Sequence, residues 1–87
     1  MILKKFKLNN FNLKNRIVIS PMCQYSSVNG LPSKWHYQHL LNLLTSGAGT
    51  LVLESTAVSK DARISKHDLC LYNNKQKESF KKLIKFL

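Results

Sequence analysis

Apolar and polar residues alternate on both sides of an Asn-Asn pair near the start of the chain. Phe6 and Leu8 flank Lys7, and Phe11 and Leu13 flank Asn12. A period of two belongs to a strand with one buried face. Asn tolerates the positive φ of a type I′ turn, so Asn9-Asn10 predicts a short hairpin. The run Arg16 to Ser20 holds three consecutive β-branched residues, Ile17-Val18-Ile19, and suits a strand covered on both faces. Ser20-Pro21 ends it abruptly.

The period then changes. Ser33 is a plausible N-cap, and Trp35, His39, Leu40, Leu43 and Leu44 fall near helical spacing on one broad face. Gly47 is a natural stop. Thr50-Leu51-Val52-Leu53 predicts a second buried strand, ending in Glu54-Ser55-Thr56. A polar loop follows through Lys60-Asp61-Ala62-Arg63. A last helix opens near Asn73 or Asn74, with Phe80, Leu83, Ile84 and Leu87 at i, i+3, i+4 and i+7 and most lysines elsewhere.

The order is hairpin, β, α, β, α. Strands alternating with helices imply parallel pairing through crossovers, and hence an α/β fold. Two parallel strands do not close a sheet, and their outer edges keep unpaired backbone groups. The 87 residues are therefore expected to form the start of a larger α/β fold, with residues 1–87 an N-terminal fragment of a single domain.

Composition narrows the partners. No apolar run approaches the about 18 residues of a membrane span, and the N-terminus lacks a signal-peptide pattern. The cytoplasm is the expected compartment, with no membrane partner. The net charge of +10 could attract nucleic acid or an anionic surface, so a small basic binding module is the alternative reading. The charge is nearly all Lys and is spread along the chain. Only Arg16 and Arg63 could read phosphates or base edges bidentately, which makes nucleic acid an unlikely partner. Cys23 and Cys70 fit no metal spacing, and no metal is expected.

The chemistry concentrates after the first buried strand, in Ser20-Pro21-Met22-Cys23-Gln24-Tyr25-Ser26. A thiol, a carboxamide, a phenol and hydroxyls follow a rigid strand end, which is where α/β enzymes place reactive groups. His36 and His39 sit at i and i+3 but lack a carboxylate pattern for metal, and read as packing or capping residues. Glu54, at the end of a buried strand, needs a hydrogen bond or ion pair. Cys70 reads as a small buried hydrophobe.

The segment Asn15-Arg16-Ile17-Val18-Ile19-Ser20-Pro21-Met22-Cys23 resembles the first barrel strand of Old Yellow Enzyme-type NADPH dehydrogenases, in the bacterial branch whose strand ends in a cysteine. Pro32-Ser33-Lys34-Trp35-His36-Tyr37-Gln38-His39 is similar to the helix opening that follows there. Glu54-Ser55-Thr56-Ala57-Val58 resembles the end of the second strand, and Arg63-Ile64-Ser65 with Asp68-Leu69 resembles the loop after it. The resemblance implies the first two β/α units of a TIM (β/α)8 barrel, preceded by the hairpin, as an incomplete barrel. It implies an FMN cofactor reduced by NADPH, with hydride then passed to an activated alkene such as an α,β-unsaturated carbonyl. By the same resemblance Ser20, Pro21, Met22, Cys23 and Ser55 line the flavin, and Tyr25 faces the substrate. The family's proton donor, substrate-clamping pair and phosphate site fall outside these residues. No catalytic residue is assigned, and the chain alone is expected to be inactive. The parent enzyme is expected to be a homo-oligomer.

Overall fold

The computed structural model describes residues 1–87. The hairpin forms as β1 (Phe6–Leu8) and β2 (Phe11–Leu13), antiparallel, with Phe6 opposite Leu13 and Leu8 opposite Phe11. Its turn differs from the type I′ expectation. Only Asn9 adopts positive φ, at 52°, whereas a type I′ turn needs both central residues there. The Arg16 guanidinium lies 4.2 Å from the centre of the Phe6 ring and ties the hairpin to the chain beyond it.

Next come β3 (Val18–Ile19), α1 (Lys34–Leu44) and β4 (Thr50–Leu51). β3 and β4 pair in parallel, Val18 with Thr50 and Ile19 with Leu51, with α1 as the crossover. Both strands are shorter than the apolar runs that predicted them. β3 is not covered on both faces either, since Val18 is 54% exposed. The β-branched run is compatible with burial, but these residues bring only one helix against this pair of strands.

Asn15 holds the near ends of β3 and β4 together. Its side chain is almost fully buried; Nδ2 donates to the Gly47 carbonyl at 2.7 Å. Oδ1 accepts from the Gly49 amide at 2.8 Å and from the Ile17 amide at 3.0 Å. A Cβ on Gly49 would meet the Asn15 carbonyl oxygen at 2.6 Å, so glycine is required by this close approach. Helix α1 ends at Thr45, and the left-handed residue follows two positions later at Gly47, φ 103°.

The region read as a polar loop contains a further parallel pair, β5 (Thr56–Ala57) with β6 (Leu69–Cys70), separated by a single 3₁₀ turn at Lys60–Ala62. Two-residue strands carry too short a pattern to register as periodicity. They are set by tertiary contacts. Cys70 donates its amide to the Gly30 carbonyl at 3.0 Å, and Gly30, at φ 77°, packs so closely that a Cβ would meet Cys70 Cβ at 2.7 Å. Asp68 organises the same turn by accepting from the amides of Ile64 and Ser65 and from the Ser65 hydroxyl.

Helix α2 (Asn74–Phe86) is capped by Asn73, whose side chain accepts from the Gln76 amide at 2.8 Å. Phe80 and Leu83 are buried as their spacing predicts, but Ile84 is 62% exposed and Leu87 is also exposed. The buried stripe instead includes Gln76, which accepts from the Tyr72 amide and reaches the Asn29 carbonyl. A polar residue was hidden there because its partners lie in loops. Tyr37 meets Phe86 edge-on, with ring centres 5.1 Å apart, and joins α1 to α2.

The hydrophobic core is small: Leu40, Ala57, Leu69, Cys70, Phe80 and Leu83. The radius of gyration is 14.3 Å, against about 12 Å for a compact chain of this length. Apolar side chains on the open faces, Val18 and Val52 among them, remain in solvent. Stability therefore leans on polar clamps. Replacing Asn15 with Ala should cost about 1–2 kcal/mol, because the Ile17 amide and the Gly47 carbonyl lose their partners, whereas the Gly49 amide keeps the Ile17 carbonyl at 3.1 Å. Urea unfolding followed by far-ultraviolet circular dichroism measures this. An unchanged midpoint would contradict the clamp.

Candidate functional site at the strand mouth

Parallel pairing places the C-terminal ends of β3 and β4 at the same edge of the sheet. The loop from Ser20 to Ser26 leaves one strand, and Glu54-Ser55 leaves the other. The two are joined directly: the Gln24 amide donates to Glu54 Oε2 at 3.3 Å.

Beneath this junction is a buried polar pair. His36 is fully buried on α1, and its Nε2 lies 3.1 Å from Glu54 Oε1. The ring's other nitrogen, Nδ1, accepts from the Ser33 amide at 3.0 Å, in the place a Glu or Gln usually takes in a capping box. That bond fixes the tautomer, so Nε2 carries the proton toward Glu54. The approach is off the N–H axis, leaving a polar contact between a neutral ring and the carboxylate rather than a well-aligned hydrogen bond. Burial holds His36 below its usual pKa, against the opposing pull of Glu54, and nearby His39 adds to the lowering. Both residues were read from the sequence as structural, and neither was paired with the other. The signal was the need of Glu54 for a partner and the position of His36 as N3 of the preceding helix.

Gln24 extends the network upward. Its Oε1 accepts from Trp35 Nε1 at 2.9 Å, and its Nε2 donates to the Met22 carbonyl at 3.0 Å. The Ser26 hydroxyl donates to the Gln24 carbonyl. Trp35 is half exposed and stacks on His39, with ring centres 5.5 Å apart. It faces the loop rather than the core expected from its helical spacing.

The residues singled out by sequence fall as follows. Ser20, Pro21, Met22 and Ser55 are exposed, and Cys23 is half-buried with a free thiol. Ser20 and Met22 border a crevice of about 10 Å³ between the sheet and Leu40 of α1, with room for one water at most. Tyr25 is 51% exposed and takes a left-handed backbone, φ 51°. Such a conformation is uncommon for an aromatic residue and costs of order 1–2 kcal/mol. Strain of this kind concentrates where surrounding bonds over-determine a loop. The amides of Met22 and Cys23 donate to no group within the chain. The strand mouth thus holds a half-buried thiol, an exposed phenol and a run of unpartnered amides, those of Ser20, Tyr25 and Ser26 as well as Met22 and Cys23, on a loop tied down at Gln24.

No group of three or more His, Cys, Asp or Glu side chains is placed to hold a metal ion. No helix is long and apolar enough to cross a membrane.

Parallel strands whose carboxyl ends open onto such a loop define the class: an α/β chain built like part of an enzyme barrel. The chain belongs to the NADH:flavin oxidoreductase / NADH oxidase family, whose sequence profile matches residues 2–86. It is 42% identical over 85 residues to an NADPH dehydrogenase of Listeria monocytogenes, covering 95% of this chain and 25% of the relative. It is 40% identical over 84 residues to an NADPH dehydrogenase of Bacillus cytotoxicus, covering 94% of this chain and 24% of that one. Among solved structures, morphinone reductase superposes with a TM-score of 0.82 at 19% identity, covering 98% of this chain and 22% of its own. The old yellow enzyme from Trypanosoma cruzi gives 0.79 at 21% identity, covering 98% and 23%. These structural likenesses establish the fold. The resemblance to Old Yellow Enzyme-type NADPH dehydrogenases is borne out, and the chain spans about a quarter of the length of the curated relatives it matches.

The buried His36 makes stability depend on pH. Its folded pKa lies below the ordinary 6.5, so the unfolded chain binds the extra proton first. Stability is complete above about 6.5 and falls as the pH drops below it. Asp68 adds a second, more acidic loss. Burial works to raise its pKa, but hydrogen bonds from Ile64 and Ser65, with Arg63 nearby, hold it below 3.8. Its contribution is present above 3.8 and vanishes as the pH falls through the folded value. The urea midpoint should therefore decline between pH 7 and 5 in the wild type and stay flatter in His36→Gln. Parallel slopes for the two proteins would contradict the assignment.

Proposed function

We propose that residues 1–87 form the hairpin and first two β/α units of one FMN-binding (β/α)8 domain, in an oxidoreductase that uses NADPH to reduce activated alkenes. The observation that carries this reading is the strand mouth, where the unpaired amides of Met22 and Cys23 stand beside a half-buried thiol. The family description names flavin, and the matched relatives are NADPH dehydrogenases. Flavin held there would supply hydride transfer from NADPH to the β-carbon of an α,β-unsaturated carbonyl, with the α-carbon taking a proton from a donor outside these residues.

The residues present fit one edge of such a cofactor. The strand-end amides supply donors for the acceptor atoms of an isoalloxazine rim, and Pro21 and Met22 supply exposed apolar surface against its plane. The Cys23 thiol, a weak donor of modest polarity, adjusts the electrostatics at that rim. Ser55 presents a hydroxyl from the neighbouring strand end. Tyr25, held out from the loop by its left-handed backbone, positions a substrate carbonyl by hydrogen bonding. The crevice beside Ser20 and Met22 holds no more than a water, so the greater part of a flavin site must come from elsewhere in the barrel. The 87-residue chain by itself is accordingly proposed to bind FMN poorly and to lack NADPH turnover.

The test joins this chain to the remaining three-quarters of the Listeria NADPH dehydrogenase. The joined protein should purify with flavin and oxidise NADPH in the presence of an enone, whereas the chain alone should retain no stoichiometric FMN. In the joined protein Cys23→Ala should shift the two-electron flavin potential by about 20–30 mV, equivalent to a hydrogen bond of about 1 kcal/mol. A colourless joined protein that is folded, or a potential unmoved by Cys23→Ala, would count against the reading.

A further inference from the structure

We infer that Glu54 and His36 are positioning residues for the strand-mouth loop, setting through the Gln24 amide where Cys23 and Tyr25 stand. This rests on the flavin reading of that loop, and goes beyond it by assigning a task to two buried groups that touch neither flavin nor substrate.

A carboxylate joining a strand end to a helix needs only one partner in that helix. Glu54 has two partners in different elements. Oε1 faces His36 Nε2 at 3.1 Å, and Oε2 accepts from the Gln24 amide at 3.3 Å. The side chains of His36 and Glu54 are 0% and 5% exposed, so neither contact is diluted by water. His36 cannot turn away, because Nδ1 is held by the Ser33 amide at the start of α1. The orientation of the carboxylate is thus set from the helix, and the carboxylate sets the loop. The second tie, from Trp35 Nε1 to Gln24 Oε1, comes from the same helical turn. One turn of α1 therefore grips the residue between Cys23 and Tyr25 by its backbone and by its side chain. Tyr25 holds its left-handed conformation immediately after the gripped residue. A free loop would relax that backbone, so a fixed anchor next to it is what the strain requires.

The experiment uses the 87-residue chain and reads two local quantities. One is amide exchange at Gln24. The other is alkylation of Cys23 by iodoacetamide, with Cys70 as the internal control because it is 1% exposed. Glu54→Ala should speed both about tenfold while the Leu69 and Leu83 amides stay protected. Glu54→Gln keeps an acceptor oxygen for Gln24 but turns its NH2 toward the His36 Nε2–H, so both rates should fall between those of Glu54→Ala and the wild type. A folded Glu54→Ala variant with unchanged Gln24 exchange and unchanged alkylation overturns the proposal.

If Glu54→Ala also exposes Leu69 and Leu83, a comparison at Gln24 decides. Gln24→Pro removes the donor N–H and leaves the buried pair alone, whereas Gln24→Ala keeps the donor. Faster Cys23 alkylation in the Pro variant than in the Ala variant supports the proposal, and equal rates overturn it. FMN retention by the joined barrel reports separately. Alkylation ratios as stated with no flavin binding would uphold the grip on the loop and overturn the flavin assignment alone.

Discussion

A carboxylate buried at the end of a strand is the constraint on which this structure turns. Glu54 cannot remain there without partners, since an unpaired buried charge costs several kcal/mol. Its two oxygens are therefore committed, one to His36 on the crossover helix and one to the Gln24 amide on the loop after β3. Strand, helix and loop meet at one group of atoms. What the loop carries, a half-buried thiol, unpartnered amides and a strained tyrosine, has a defined place because of what lies beneath it.

The polar clamps matter more here than in a chain with a deep core. Six apolar residues are buried, while Val18 of β3, Val52 just after β4 and Ile84 of α2 remain exposed. In this setting Asn15 at one end of the parallel pair and Glu54 at the other hold β3 and β4 in register, with α1 between them. The ends have different chemistry. The Asn15 end is neutral, closed and made of glycine contacts. The Glu54 end carries titratable groups and opens onto the loop. Barrel enzymes divide stability and function between the two ends of their strands in the same way.

Much of this was legible in the residues. The hairpin, the order β, α, β, α and both long helices follow from periodicity and capping residues such as Ser33 and Asn73. The motifs from Asn15 to Cys23 and from Glu54 to Val58 pointed to the family that the whole-chain comparison supports. What stayed hidden has a common cause. β5 and β6 are two residues each, too short to show a period, and are fixed by Gly30 packing on Cys70. Gln76 is buried because loop amides meet it, which helical spacing cannot reveal. Trp35, Ile84 and Leu87 looked like core by spacing alone, yet these residues supply nothing to cover them. At the site, Cys23 and Tyr25 were visible as chemistry, whereas the Glu54–His36 pair became visible only when two elements were brought together.

On the proposed reading, the strand mouth is one edge of a flavin site whose loop is already in place. Nuclear magnetic resonance of the joined barrel, with and without FMN, tests it most directly through the amides of Met22 and Cys23. Both amides should shift and gain exchange protection when FMN binds, while Gln24, already bonded to Glu54, changes little. FMN binding that leaves Met22 and Cys23 unaltered would contradict it.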